Sequence, residues 1–135
     1  MWEDLGEYIL NLKDKTPIKI AEIGIGKFEG TYDYLKNKSN INIIKTDILP
    51  SNESIIKDDI TNPNLDLYKN IDIIYSIRPP SELHQSLMDL RDKTNSILII
   101  KPLFNEDINI KNKKMILKNY KKSIFYIYGD TNDND

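Results

Sequence analysis

Apolar residues recur along this chain in two rhythms. At the amino terminus Trp2, Leu5, Ile9 and Leu12 fall at helical spacing, with Glu3, Asp4, Glu7 and Asn11 between them. That spacing predicts an amphipathic helix with its apolar stripe against a sheet. Thr16-Pro17 ends the approach, and the isoleucine-rich run Ile18 to Ile23 predicts the first strand. A second helix is expected from Phe28 to Lys38, with Phe28, Tyr32 and Leu35 inward. Ile41 to Thr46 reads as the second strand, ending in Asp47, and Ser54 to Lys57 as a short third, ending in Asp58-Asp59. Leu65, Leu67 and Tyr68 suit no more than a helical turn. Ile71 to Ser76 predicts the fourth strand, and Pro79-Pro80 leads into a helix with Leu83, Leu87 and Leu90 inward. Ser96 to Lys101 is a continuous aliphatic run suited to a strand covered on both faces. Lys111 to Lys122 reads as a helix with Met115, Ile116 and Tyr120 inward, and Ile124 to Tyr128 as a last strand.

Strands alternating with helices predict an α/β fold: one Rossmann-like domain, three layers, with a mostly parallel sheet in the order 3-2-1-4-5 plus the last strand. The domain is expected to span residues 1–129, and 130–135 to form a disordered acidic tail. Ligands of such sheets sit beyond the carboxyl ends of the strands. The polar residues there are Glu22, Asp47, Asp59 and Ser76 to Arg78. The first strand also runs straight into Gly24 and Gly26, the strand, glycine turn and helix start of a nucleotide-binding unit.

Composition narrows the chemistry. The 135 residues suffice for one core, and a net charge of −2 gives no global pull toward nucleic acid or anionic membrane. There is no cysteine and one histidine, His84, so thiolate chemistry is excluded and a histidine-built metal site is not expected. The longest aliphatic run, Ile97 to Ile100, is far too short to span a bilayer, and the cytoplasm is the expected compartment.

With the strand ends assembled, residues 18–103 resemble the Rossmann-like S-adenosylmethionine-dependent methyltransferases. Glu22-Ile23-Gly24-Ile25-Gly26 looks like that family's acidic-x-Gly-x-Gly motif. Asp47 sits where the family places the acid for the ribose hydroxyls, and Asp59-Ile60 resembles its pair beside the adenine. The run I-Y-S-I-R-P-P-x-E-L, Ile74 to Leu83, resembles a hallmark of a small archaeal family of truncated methyltransferase-like domains. The resemblance implies S-adenosylmethionine as cofactor and methyl transfer as the activity. Three departures stand against it: Phe28 occupies the place of a third glycine, Ser76-Ile77-Arg78 replaces the Asp/Asn before the prolines, and the closing antiparallel hairpin looks incomplete. A homodimer contact or a protein partner is the expected replacement for that hairpin.

Each candidate also carries a plainer reading. Glu22 pairs either with a ligand ammonium or with the glycine loop. Asp47, 21 residues after Gly26, suits a ribose and repels a 2′-phosphate, or else faces water; its removal is expected to leave stability nearly unchanged. Asp59 meets an adenine or caps the Thr61-Asn62 turn. Tyr75, Ser76 and Arg78 border the substrate mouth, where Arg78 grips an anion or pairs with Glu82. His84 is expected at the surface, and Phe28 in the core. Glu29, beside the helix start, opposes a pyrophosphate and turns the reading from NAD toward a phosphate-free ligand. Lys111 to Lys122 contacts RNA phosphates or is a solvated face. The remaining alternatives are a catalytically inert nucleotide-binding or protein-interaction module and an NAD-binding domain.

Overall fold

The computed structural model describes residues 2–102 and 106–130. The predicted acidic tail from 131 on lies outside them. The elements are α1 (Trp2–Leu10), β1 (Ile18–Ile23), α2 (Gly30–Lys36), β2 (Ile41–Asp47), β3 (Ile56–Lys57), β4 (Ile73–Ile77), α3 (His84–Thr94), β5 (Ile97–Lys101), β6 (Ile116–Tyr120) and β7 (Ser123–Tyr128). Single 3₁₀ turns cover Leu65–Tyr68 and Ser81–Leu83. The sheet runs β3-β2-β1-β4-β5-β7-β6. The first five strands are parallel, and β7 pairs antiparallel with both β5 and β6. The predicted order and the α/β class are therefore found, with β1 in the interior between β2 and β4.

The aliphatic strands form because both sheet faces are covered. One core joins β1, β4 and β5 to α3 through Ala21, Ile74, Leu98 and Leu87. The other joins the same strands to α1 and α2 through Ile20, Ile73, Leu5 and Leu35. Alternate residues of one strand feed opposite cores, as the period of two requires. The helices α1 and α2 approach closely at Gly6, where an added Cβ would overlap the Tyr34 ring.

Two expectations fail at the carboxyl end. The lysine-rich stretch is not a helix; Ile116–Tyr120 is the edge strand β6. The closing hairpin, expected to be incomplete, is supplied by the chain itself as β6–β7, with Tyr120 opposite Ser123. Two of the lysines are held by acids, Lys113 by Asp92 at 3.3 Å and Lys121 by Glu7 at 2.7 Å. Among the described residues no helix is long and apolar enough to cross a membrane.

Candidate functional site

Beyond Ile23 the chain turns through Gly24 and Gly26 at φ +69 and +59. Two left-handed residues in three are cheap only for glycine. Crowding is not the reason for either. A Cβ on Gly26 would meet nothing within 4 Å, and one on Gly24 only Ser76 Oγ at 3.9 Å. The loop surface is open to a ligand, but its amides are not. Gly24 N–H and Ile25 N–H donate to Thr46 O at 2.9 and 3.2 Å, and Gly26 N–H donates to Asp47 Oδ2 at 2.8 Å. Asp47 Oδ1 accepts from Leu49 N–H at 2.9 Å. Asp47 thus clamps the glycine loop to the end of β2, and its loss must cost stability, contrary to expectation. Each of its oxygens keeps a second acceptor position.

Beside the loop lies a cleft of about 280 Å³, lined by Ile23, Gly24, Ile48, Asp58 to Thr61, Ser76, Arg78 to Pro80, Leu83 and Leu87. It opens beyond the carboxyl ends of β1, β3 and β4, where a doubly wound sheet binds its ligands. Its walls are mainly aliphatic, with two acids, Asp58 and Asp59, and two hydroxyl residues, Thr61 and Ser76. Asp58 accepts from Asn64 N–H at 2.9 Å and from the Tyr68 hydroxyl at 2.6 Å. Asp59 Oδ1 accepts from the Thr61 hydroxyl at 2.7 Å and from Thr61 N–H at 2.9 Å. These bonds hold the Asp59 carboxyl below its usual range. Asp59 therefore caps its turn and lines the cleft at once. Ser76 is buried and donates to Ile23 O at 2.7 Å, tying the ends of β4 and β1 together.

Arg78 follows β4 in a left-handed conformation, φ +54, with its N–H donating to Lys101 O at 2.6 Å. Its guanidinium sits 4.9 Å from the Trp2 ring centroid rather than on Glu82. Phe28, expected in the core, is 38% exposed. Its ring packs tilted on Trp2 at 4.5 Å and lies over Gly30, where an added Cβ would come within 2.5 Å of Cζ. Because α2 begins only at Gly30, Phe28 is outside the helix and the helical spacing does not govern it. It is absent from the cleft lining.

Glu22 stands apart from the cleft. It points to the α1–α2 face, 1% exposed, and accepts from the Tyr75 hydroxyl at 2.5 Å. Burial pushes its carboxyl up to about 8, against the pull of that hydrogen bond. Its register neighbour Lys45 is also buried and pairs with Glu29, 4.3 Å from the Tyr32 ring. Glu29 is thus occupied and does not face the ligand side. Tyr75, expected at the substrate mouth, is instead buried against Glu22 and outside the cleft lining. The sequence reading missed Lys45; alternation along Ile41, Ile43 and Lys45 puts that lysine on the buried face, which is the signal that was there to find. His84, expected at the surface, is fully buried, and its Nδ1 accepts from Asn109 N–H at 2.9 Å. The structure therefore gathers Gly24, Asp59, Ser76 and Arg78 at one cleft, sets Asp47 and Gly26 at the adjoining loop, and leaves Glu22 in the core.

Several solved structures with this fold are methyltransferases by description. A proposed S-adenosylmethionine-dependent methyltransferase from Methanococcus maripaludis superposes with a TM-score of 0.62 over 93% of this chain and 83% of its own, at 13% identity. The precorrin-6y C5,15-methyltransferase of Geobacter metallireducens gives 0.58 over 92% and 85%, at 12% identity. At such identity the likeness carries the fold alone. In sequence, a protein of Methanothermobacter thermautotrophicus is 43% identical over 95% of both chains. One of Methanocaldococcus jannaschii is 47% identical over 81% of this chain and 82% of its own. Both are described as UPF0146 proteins, and the model of the uncharacterised protein family UPF0146 matches residues 2–130. The chain belongs to the UPF0146 family.

Proposed function

We propose that this chain binds S-adenosylmethionine through its adenosine end and serves as a small methyltransferase domain. One observation carries the reading: an apolar cleft of about 280 Å³ adjoins an open glycine loop whose amides are already spent. A pyrophosphate needs free loop amides. A phosphate-free nucleoside needs an apolar slot and acceptors for its hydroxyls and amino group. Asp47, Asp58 and Asp59 supply acceptors and suit a cationic sulfonium, which favours S-adenosylmethionine over NAD. The volume lies just under the ~300 Å³ lower end of small-molecule pockets, which suits the adenosine end with the rest of the ligand in the open groove.

In this reading Ile60, Pro79 and Leu83 enclose the adenine and Asp59 faces its edge. The remaining acceptor positions of Asp47 meet the ribose, and the methionine part lies over Gly24 to Gly26. The bound cofactor supplies an activated methyl group on a sulfonium. The chain's residues align it and exclude water, which is most of what such a transfer requires. Ser76 braces the strand ends, and Glu22 supports the cradle from beneath as a neutral carboxyl.

The withdrawal of Glu22 favours a second reading, a domain that binds adenosine compounds without transferring methyl groups, since no cleft carboxylate then meets the methionine ammonium. Calorimetric titration with S-adenosylhomocysteine, 5′-methylthioadenosine and NAD separates these. The methyltransferase reading expects S-adenosylhomocysteine to bind most tightly. Equal binding of 5′-methylthioadenosine supports the second reading. Tighter binding of NAD, or no S-adenosylhomocysteine binding at ~1 mM, a regime of about 4 kcal/mol, overturns both.

A further inference from the structure

The carboxyl ends of β4 and β5 carry a cluster that the adenosine cleft does not absorb. Arg78 borders the cleft on one side and covers Trp2 on the other. Lys101, the last residue of β5, brings its Nζ to 5.8 Å from the same ring centroid. The main chain couples the two positions, since Arg78 N–H donates to Lys101 O at 2.6 Å. Two like charges therefore converge on one indole.

Among the described residues no carboxylate pairs with Arg78 or Lys101, although acids outnumber bases in the chain by 21 to 19. Some lysines elsewhere hold acids, among them Lys15 with Asp72, Lys36 with Asp33 and Lys121 with Glu7. None of the guanidinium donors of Arg78 has a hydrogen-bond partner among the described residues, and Lys101 spends one donor on Ile124 O at 2.8 Å. A guanidinium held over an indole is pre-oriented, with its donor fork unused. Burial and the nearby charge of Arg78 both lower the Lys101 pKa, in that order, and an anion between them relieves the second of these.

The third feature is a fixed exposed ring. Phe28 leans on Trp2 and over Gly30, a place open only because Gly30 has no side chain. An exposed phenyl beside two unpaired cations is what a flat, charged molecule recognises. The methionine part of the cofactor is a zwitterion and does not call for two cations.

We propose that Trp2, Phe28, Arg78 and Lys101 form the acceptor subsite of this centre, taking a planar ring that carries a phosphate or a carboxylate. The assignment of the neighbouring cleft to the cofactor, on which the word acceptor rests, is the reading given above. The anion lies in the Arg78–Lys101 fork, and the ring lies against Phe28.

Trp2 is the single tryptophan and reports the site directly. Its fluorescence is titrated with uridine 5′-monophosphate, orotate and uncharged uridine, with and without saturating S-adenosylhomocysteine. Either anion should quench saturably and bind at least about tenfold tighter than uridine, the mark of a charge-assisted contact. The monophosphate and orotate arms separate phosphate from carboxylate recognition. Arg78→Gln and Lys101→Gln should each weaken the anion by about tenfold. For Lys101→Gln, at a residue outside the cleft lining, S-adenosylhomocysteine affinity, read by calorimetry, should change by less than about twofold, well under 1 kcal/mol. Equal responses to uridine and the anions, or anion binding indifferent to both substitutions, overturns the subsite. A Lys101→Gln variant that loses S-adenosylhomocysteine as steeply as the anion also overturns it, because the cations would then hold the cofactor. An Arg78-dependent anion response with no S-adenosylhomocysteine binding supports the anion site and defeats the cofactor reading instead.

Discussion

Glu22→Gln tests the electrostatics beneath the site. The carboxyl is 1% exposed and its pKa is pushed from 4.5 up to about 8, chiefly by burial. In the unfolded chain it ionises near 4.5; in the folded chain it holds its proton to about 8. Stability is thus fully present below pH 4.5 and falls as pH rises through about 8. Each pH unit in that window costs about 1.4 kcal/mol, so the loss at pH 7 is about 3 kcal/mol and above pH 8 about 5 kcal/mol, both upper values. Glutamine mimics the neutral acid, keeps an acceptor for the Tyr75 hydroxyl, and does not titrate. The variant should be more stable than wild type by about 2–3 kcal/mol at pH 7 and indistinguishable near pH 4.5. Urea denaturation at pH 4.5, 6, 7 and 8 reads the difference directly. A variant less stable at pH 7, with the gap growing as pH rises, would show that Glu22 is ionised and paired with Lys45. Proton release adds a second check: S-adenosylhomocysteine binding at pH 7 should show the same enthalpy in buffers of different ionisation heat, since Glu22 does not ionise to meet the ligand.

Asp47→Ala removes two backbone hydrogen bonds and the proposed ribose acceptor; it should lower stability by roughly 1–3 kcal/mol and weaken S-adenosylhomocysteine by roughly 1.5–3 kcal/mol. Calorimetry on the folded variant checks the second figure, and unchanged affinity removes Asp47 from the site. Gly6→Ala drives a methyl group into the Tyr34 ring and should cost about 1–3 kcal/mol in denaturant unfolding without altering ligand affinity. Gly30→Ala displaces the Phe28 ring and should change Trp2 emission while leaving S-adenosylhomocysteine binding intact; a Trp2 spectrum identical to wild type contradicts the packing described.

The centre of the sheet was legible because its signals are local and physical. Continuous aliphatic runs at β1, β4 and β5 need cover on both faces, and glycines at 24 and 26 mark a backbone few other residues adopt. The last hairpin was hidden for equally physical reasons. Its turn is Lys121-Lys122 with Lys121 at φ +53, so none of the usual Asn-Gly or Asp-Gly signals is present. Its edge strand β6 is mostly solvent-facing, which erases the alternation that reveals strands and leaves Met115, Ile116 and Tyr120 at helix-like spacing. His84 is buried by a segment arriving from residues 106–110, a long-range contact no local pattern encodes. The site residues divide the same way: strand-end positions were readable, but whether a carboxylate such as Glu22 faces the cleft or the core depends on which helix covers it.

The most direct measurement is amide chemical-shift mapping of the protein with S-adenosylhomocysteine. The account predicts saturable shifts concentrated at residues 24–26, 47–49, 58–61 and 76–87, around the cleft and the glycine loop. Saturable binding with shifts confined to other surfaces, such as the β6–β7 hairpin, or no shifts at ~1 mM ligand, about 4 kcal/mol of binding, would contradict it.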